Sequence, residues 1–78
     1  MPVVRLFAQA RVAAGTAAED LPGATVAEVL DAARSRFGDE FAAVLDTCGV
    51  WVSGEPAVES DVVGGDDEVA ILPPVSGG

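Results

Sequence analysis

Thr25-Val26-Ala27-Glu28-Val29-Leu30-Asp31-Ala32-Ala33-Arg34-Ser35-Arg36-Phe37-Gly38 is the stretch on which the fold turns. Thr25 and Glu28 have the spacing of a capping box, in which each side chain satisfies a backbone N–H that the first helical turn leaves without a partner. Val26, Val29, Leu30, Ala33 and Phe37 then recur at i, i+3, i+4, i+7 and i+11, one stripe along a helix. Arg34 and Arg36 fall in the last turn, where cations suit the helix dipole, and Gly38 supplies a stop. The stretch predicts one amphipathic helix, Thr25 to Phe37, laid with its apolar stripe across a sheet.

The flanking segments supply that sheet. Val3-Val4-Arg5-Leu6-Phe7-Ala8 is β-rich, with Val4, Leu6 and Ala8 on one face and Val3, Arg5 and Phe7 on the other. If the Val4/Leu6 face is core, Phe7 shares the outer face with a charge and becomes a candidate contact residue, unless a loop of the chain covers it. Gln9 to Gly15 is Ala-rich and predicts a helical turn ended by Gly15. Thr16 to Leu21 reads as a short edge strand and Pro22-Gly23 as a turn. Beyond the long helix, Asp39 is an N-cap candidate for a shorter one, with Phe41, Val44 and Leu45 facing inward. Val50-Trp51-Val52 reads as a strand, Ser53-Gly54-Glu55-Pro56 as a turn and Ala57-Val58 as a short returning strand. Trp51 is expected in the core or as an aromatic covering the sheet. Gly64-Gly65-Asp66-Asp67 turns into Glu68-Val69-Ala70-Ile71-Leu72, apolar on both faces, as suits a central strand or one with a partner outside it. Pro73-Pro74 ends the sheet, because neither proline can donate a ladder hydrogen bond. The expected class is α+β, a sheet gripping one main helix plus a short second helix.

Length and composition bound the function. With 78 residues, one domain spanning 1–74 and a flexible tail at 75–78 is the expected organisation. A chain of this size buries only ~60% of the surface it exposes when unfolded, which argues against a deep active site of its own. An apolar share of 50% argues against disorder despite a net charge of −9,. Thirteen Asp and Glu face four Arg, so phosphate backbones and anionic membranes are repelled and neither nucleic acid nor membrane is expected as a partner. A protein with a basic docking face fits better, though acidity also keeps a small protein soluble.

The sequence has neither His nor Lys. The usual general base, the commonest metal ligand and the Schiff-base amine are therefore missing, and no metal site is expected. Cys48 is the single cysteine, which suits a reducing compartment. With no basic-then-apolar leader and no apolar run approaching ~18 residues, a cytoplasmic location is expected.

The ending Pro73-Pro74-Val75-Ser76-Gly77-Gly78 reads as a stiff base followed by a narrow tip. Two prolines hold their φ angles, and two glycines can thread a tunnel too narrow for side chains. Val75 to Gly78, extended, reach roughly 13 Å at ~3.3 Å per residue, enough to carry a terminal carboxyl into a neighbouring subunit. At ~7% glycine, two terminal glycines arise by chance about once in 200 chains, and about once in 75 at this chain's own glycine content, so the dipeptide alone is suggestive,.

The longer run Gly65-Asp66-Asp67-Glu68-Val69-Ala70-Ile71-Leu72-Pro73-Pro74-Val75-Ser76-Gly77-Gly78 closely resembles the ending of MoaD-like small subunits of molybdopterin synthase, within the wider ThiS/MoaD ubiquitin-like family. Leu6-Phe7-Ala8-Gln9-Ala10-Arg11, with Gly15 four residues on, resembles the same family's opening. One departure is Val12, where many relatives carry an acidic residue, so no salt-bridge role is assigned to Arg11.

The resemblance implies a β-grasp fold and a sulfur-carrier cycle without a bound cofactor. An ATP-dependent activating enzyme, acting as adenylyltransferase and sulfurtransferase, would adenylate the carboxylate of Gly78. Sulfur would then replace AMP and leave a C-terminal thiocarboxylate. Val75, Ser76, Gly77 and Gly78 would thread the large subunit's site, in a heterotetramer of two small and two large subunits. There the thiocarboxylate would donate sulfur to the cyclic pyranopterin monophosphate precursor, forming the molybdopterin dithiolene. The catalytic side chains would belong to the large subunit, and Phe7, Leu72, Pro73 and Pro74 match the positions that would meet it. Core packing is the competing account of Leu72.

Two other functions stay open: a carrier serving thiamine or cysteine biosynthesis, and a ubiquitin-like modifier attached to lysines of other proteins. A binding module with an idle tail is a further reading. The remaining motifs read as structural. Cys48 is expected as a small hydrophobe. Asp66-Asp67-Glu68 lacks the alternating oxygen ligands of a calcium loop. Gly64-Gly65 is followed by no Lys and precedes a strand, so it is no phosphate loop.

Overall fold

The computed structural model describes residues 1–73. Its elements are β1 (Val3–Leu6), α1 (Ala8–Ala14), β2 (Ala18–Asp20), α2 (Val26–Phe37), α3 (Asp39–Leu45), β3 (Gly49–Val52), β4 (Glu55–Pro56) and β5 (Glu68–Leu72). The strands form one mixed sheet in the order β2-β1-β5-β3-β4. β5 runs parallel to β1 and antiparallel to β3, so the strand apolar on both faces is the central one. Five strands and three helices make the expected α+β fold, a sheet wrapped around its main helix.

The deciding stretch folds as its periodicity requires. Val26, Val29, Leu30 and Ala33 of α2 are buried, and Phe37 is half-buried. The Thr25 Oγ1 accepts from Glu28 N–H at 3.3 Å, but the Glu28 carboxylate reaches one residue further back than a standard capping box and accepts from Ala24 N–H at 2.9 Å. The other N–H groups at this end find partners far along the chain. Val26 N–H donates to Asp61 O and Ala27 N–H to Glu59 O, each at 2.9 Å. A loop distant in sequence thus completes the cap that a helix start always needs.

The helix side of the sheet holds the core. Val4 and Leu6 of β1 and Val69 and Ile71 of β5 meet α2, Phe41 and Leu45 of α3, and Ala10 of α1, all buried. Phe37 and Phe41 meet edge to face with ring centroids 5.0 Å apart, which joins α2 to α3,. At Gly23 (φ 155°) a Cβ would lie 2.6 Å from Val29 Cγ2, so only glycine lets this turn approach α2 so closely. Arg36 on α2 pairs with Glu19 on β2 at 2.9 Å, tying the helix to the sheet edge.

Four local expectations change. Ala8 does not extend β1. It opens α1 at φ 50°, exposed, because the chain turns from strand to helix within a single residue after Phe7. Asp39 is inside α3, and Gly38 (φ 97°) takes the N-cap position with no side-chain bond. Gly38 N–H closes α2 on Arg34 O at 2.9 Å while its own carbonyl accepts from Ala42 N–H at 3.0 Å, so one residue serves both helices and leaves no place for a separate cap. The returning strand is Glu55–Pro56, not Ala57-Val58, because a two-residue turn sets Val52 opposite Glu55. Both central residues, Ser53 (φ 49°) and Gly54 (φ 86°), take the positive φ that such tight hairpins favour,. The edge strand contracts from Thr16–Leu21 to Ala18–Asp20. No helix among the described residues is long and apolar enough to cross a membrane.

Candidate functional site

Strand alternation decides what the outer face of the sheet displays. Because Val4 and Leu6 point to the helices, Val3 and Arg5 point away; because Val69 and Ile71 point inward, Glu68, Ala70 and Leu72 point outward,. In β3 the inward pair is Val50 and Val52, which puts Trp51 outside. Trp51 is 40% exposed, so of the two expectations it is the aromatic lying on the sheet and not a core residue. The parity of Val50 and Val52 carried that signal in the sequence.

The register arranges these residues in rows. Across the middle run Ala18, Arg5, Ala70, Trp51 and Pro56. Toward the start of β5 lie Asp20, Val3 and Glu68. Toward its end lie Leu72 and Gly49. Phe7 is still extended (φ −129°, ψ 150°), so it continues β1 by one step at the level of Leu72. It is 42% exposed on the outer side, and no loop among the described residues covers it. Leu72 and Pro73 are half-buried. Three of the sequence-predicted contact residues, Phe7, Leu72 and Pro73, thus gather where the central strand ends. Pro74, Val75, Ser76, Gly77 and Gly78, including the predicted reactive terminus, lie outside the described residues.

Charge is graded along this face. Arg5 Nε donates to Glu68 Oε2 at 2.6 Å, so the face's one arginine is already paired. Beside Glu68, the Asp67 carboxylate accepts from Gly64 N–H at 2.7 Å and from Ser53 Oγ–H at 2.8 Å. These bonds, the backbone one first, hold its carboxyl below the usual carboxylate range. The acidic run Asp66-Asp67-Glu68 is therefore spent on closing a turn and pairing Arg5. Arg11 on α1 is exposed and, among the described residues, is the one arginine without an ion pair.

Cys48 stands apart from this face. Its Sγ donates to Val44 O at 3.3 Å, and burial pushes the thiol up, opposed in part by a side-chain bond from Thr47. A thiol held protonated is a poor nucleophile. Among the described residues no group of three or more His, Cys, Asp or Glu comes together to hold a metal ion. What the arrangement offers is a surface for contact, contiguous with the strand end from which residues 74–78 continue.

Comparison with known proteins points the same way. The profile of the ThiS family matches residues 4–78. SAMP1 from Haloferax volcanii is 32% identical, with a TM-score of 0.79 over 97% of this chain and 97% of that one. A chain of the Amycolatopsis orientalis BexX/CysO complex is 26% identical, with a TM-score of 0.83 over 100% of both. A putative molybdopterin converting factor subunit 1 from Pyrococcus furiosus is 26% identical, with a TM-score of 0.81 over 94% of this chain and 95% of that one. Comparison with curated proteins finds no match.

Proposed function

The chain belongs to the ThiS family of ubiquitin-like sulfur carriers and modifiers, and from that premise we propose that it is the sulfur-carrier subunit of a molybdopterin synthase. In this reading the carboxylate of Gly78 is the working group. A free carboxylate is a poor electrophile, so an activating enzyme joins it to AMP, releasing pyrophosphate from ATP. The terminal sulfur of a persulfide on a desulfurase or rhodanese-type donor displaces AMP, and a second thiol then reduces the acyl disulfide so formed, releasing the carrier and leaving a disulfide on the donor side. The resulting thiocarboxylate is anionic at neutral pH and more nucleophilic than its oxygen counterpart. The large subunit takes up Val75 to Gly78, supplies the catalytic side chains, and the thiocarboxylate passes sulfur to the cyclic pyranopterin monophosphate precursor.

The observation that carries this reading is the meeting of Phe7, Leu72 and Pro73 at the end of the central strand, directly before Pro74. A carrier must be gripped where its reactive end leaves the domain, and these residues present apolar surface there. Phe7, Leu72, Pro73 and Pro74 are therefore assigned to the contact with the large subunit. The Pyrococcus relative, a putative molybdopterin converting factor subunit, favours the molybdopterin pathway. A modifier is the second reading, favoured by the archaeal relative from Methanosarcina acetivorans, a small archaeal modifier protein at 27% identity and a TM-score of 0.85. A carrier for thiamine or cysteine biosynthesis shares the same first steps.

Intact-mass spectrometry tests the proposal. After incubation with the activating enzyme, ATP and a sulfur donor, an oxygen-to-sulfur mass increase should map to Gly78, and a chain lacking Gly78 should show none. Transfer of that sulfur to the pterin precursor in the presence of a large subunit selects the molybdopterin pathway. Appearance instead of the chain itself on lysines of other proteins, joined through the Gly78 carbonyl with loss of the activating group, selects the modifier. No mass change under conditions that convert a known carrier sinks both.

A further inference from the structure

A second surface lies on the helix side of the sheet, away from Phe7 and Trp51. There α2, the end of α3, the start of β3 and the chain after β4 border an open groove of about 500 Å³. Leu30 and Leu45, both buried, and half-buried Val50 give it apolar walls. Among the described residues, Arg34 is the one cationic side chain that lines it. Arg34 Nη1 donates to Asp31 Oδ1 at 2.8 Å, a bond that uses one of the five N–H groups a guanidinium carries,.

The groove opens beside the point where the chain leaves the sheet. Gly49 lines it and sits opposite Leu72, the last residue of β5, with Leu72 O 3.9 Å from where a Gly49 Cβ would be. Pro74 to Gly78 continue from there and, fully extended, reach roughly 16 Å at ~3.3 Å per residue,. Pro74 and Val75 are apolar, like the groove's walls, and Gly78 ends in a carboxylate. Asp46 and Glu59 also line the groove, so a free anion gains little net attraction there,. A tethered one differs. A short tether supplies an effective concentration on the order of millimolar, so closure needs only contacts too weak to hold a separate molecule.

We propose that this groove is the resting site of the chain's own C-terminal segment, with Pro74 and Val75 against Leu30, Leu45 and Val50 and the Gly78 carboxylate against Arg34. The contact is made within one molecule. While it holds, the terminal carboxyl is withheld, and a partner gains the chain end only by binding the open form in competition with the groove. The inference goes beyond the carrier reading and does not depend on it, since groove and tether are the same whatever the carboxylate later serves.

Cys48 lines the groove and is the single cysteine, so its alkylation by iodoacetamide, a neutral reagent, reports whether the groove is covered. A segment docked in about two thirds of the molecules slows that reaction about threefold. Val75→Asp, which sets a charge against apolar walls and lies beyond the folded strands, should therefore raise the rate about threefold at the same pH. Arg34→Gln in the otherwise unaltered chain should recover most of the same gain. Combined with Val75→Asp it should add nothing, which separates lost docking from a loosened groove. Unchanged rates in both single variants overturn the proposal. Gains that simply add in the double variant overturn the pairing of Gly78 with Arg34. A rate for the unaltered chain that falls as its concentration rises also overturns the proposal, because it puts the segment of a second copy in the groove.

Discussion

The two faces of the sheet are built from the same three strands, yet they do opposite things. On the helix side, Val4, Leu6, Val69 and Ile71 are buried against α2 and Phe41. On the outer side, Phe7, Trp51 and Ala70 keep contact with solvent, and among the described residues Arg5 and Glu68 form the one ion pair there. Each fully buried side chain of the inner face contributes roughly 1.5–3 kcal/mol relative to exposure, so the inner face makes the fold. The outer face carries apolar area that folding does not use. In a chain this small, leaving a tryptophan and a phenylalanine partly exposed gives up stabilisation that a partner could recover.

Truncation on the two faces sharpens this contrast most. Phe41→Ala removes a side chain with no exposed surface and its edge-to-face contact with Phe37. A loss of about 3–5 kcal/mol is expected, enough to unfold a marginal small domain, and chemical denaturation with far-UV circular dichroism measures it. Trp51→Ala should cost roughly 1–2 kcal/mol in the same experiment. Equal losses at the two positions would break the division between a folding face and a docking face.

Thr25→Ala probes how far α2 depends on its own cap. It deletes the Oγ1 acceptor of Glu28 N–H, worth about 1 kcal/mol at such positions,. Asp61 O and Glu59 O continue to hold Val26 and Ala27 N–H, so the helix should remain, with Tm lowered by several degrees,. Loss of the helix signal would mean that the local cap outweighs the loop.

The same contrast between local and distant bonds explains what the sequence disclosed. Thr25 to Phe37 was legible because its stripe, cap and stop all lie within one stretch, each set by spacing. Phe7 on the outer face followed from simple alternation with Leu6. The reach of Glu28 to Ala24 and the capping of α2 by residues 59 and 61 were not legible, since they depend on how a loop returns across the helix. Gly38 displaced Asp39 from the cap because two helices share one hinge, a demand that neither helix announces alone. Hydrophobicity leaves Trp51 between core and sheet cover, and the parity of its two valine neighbours decides for the outer face of the sheet.

The smallest expected effect lies at the acidic end of the outer face. Asp67 is half-buried, and Gly64 N–H and the Ser53 hydroxyl hold its carboxyl below the usual range. A group whose pKa is depressed by folding adds stability that is fully present above its unfolded value, near 3.9 for aspartate, and lost as pH falls through the lower folded value. Asp67→Asn keeps the shape and removes the charge. Its Tm should therefore fall slightly below that of the unaltered chain at neutral pH, and the gap should close as pH drops below about 4. Every other group is common to both proteins, so the difference between the two melting curves isolates this one. A gap that persists or widens in acid would mean that Asp67 acts through shape alone, and that the turn beginning at Gly64 owes nothing to the charge it carries.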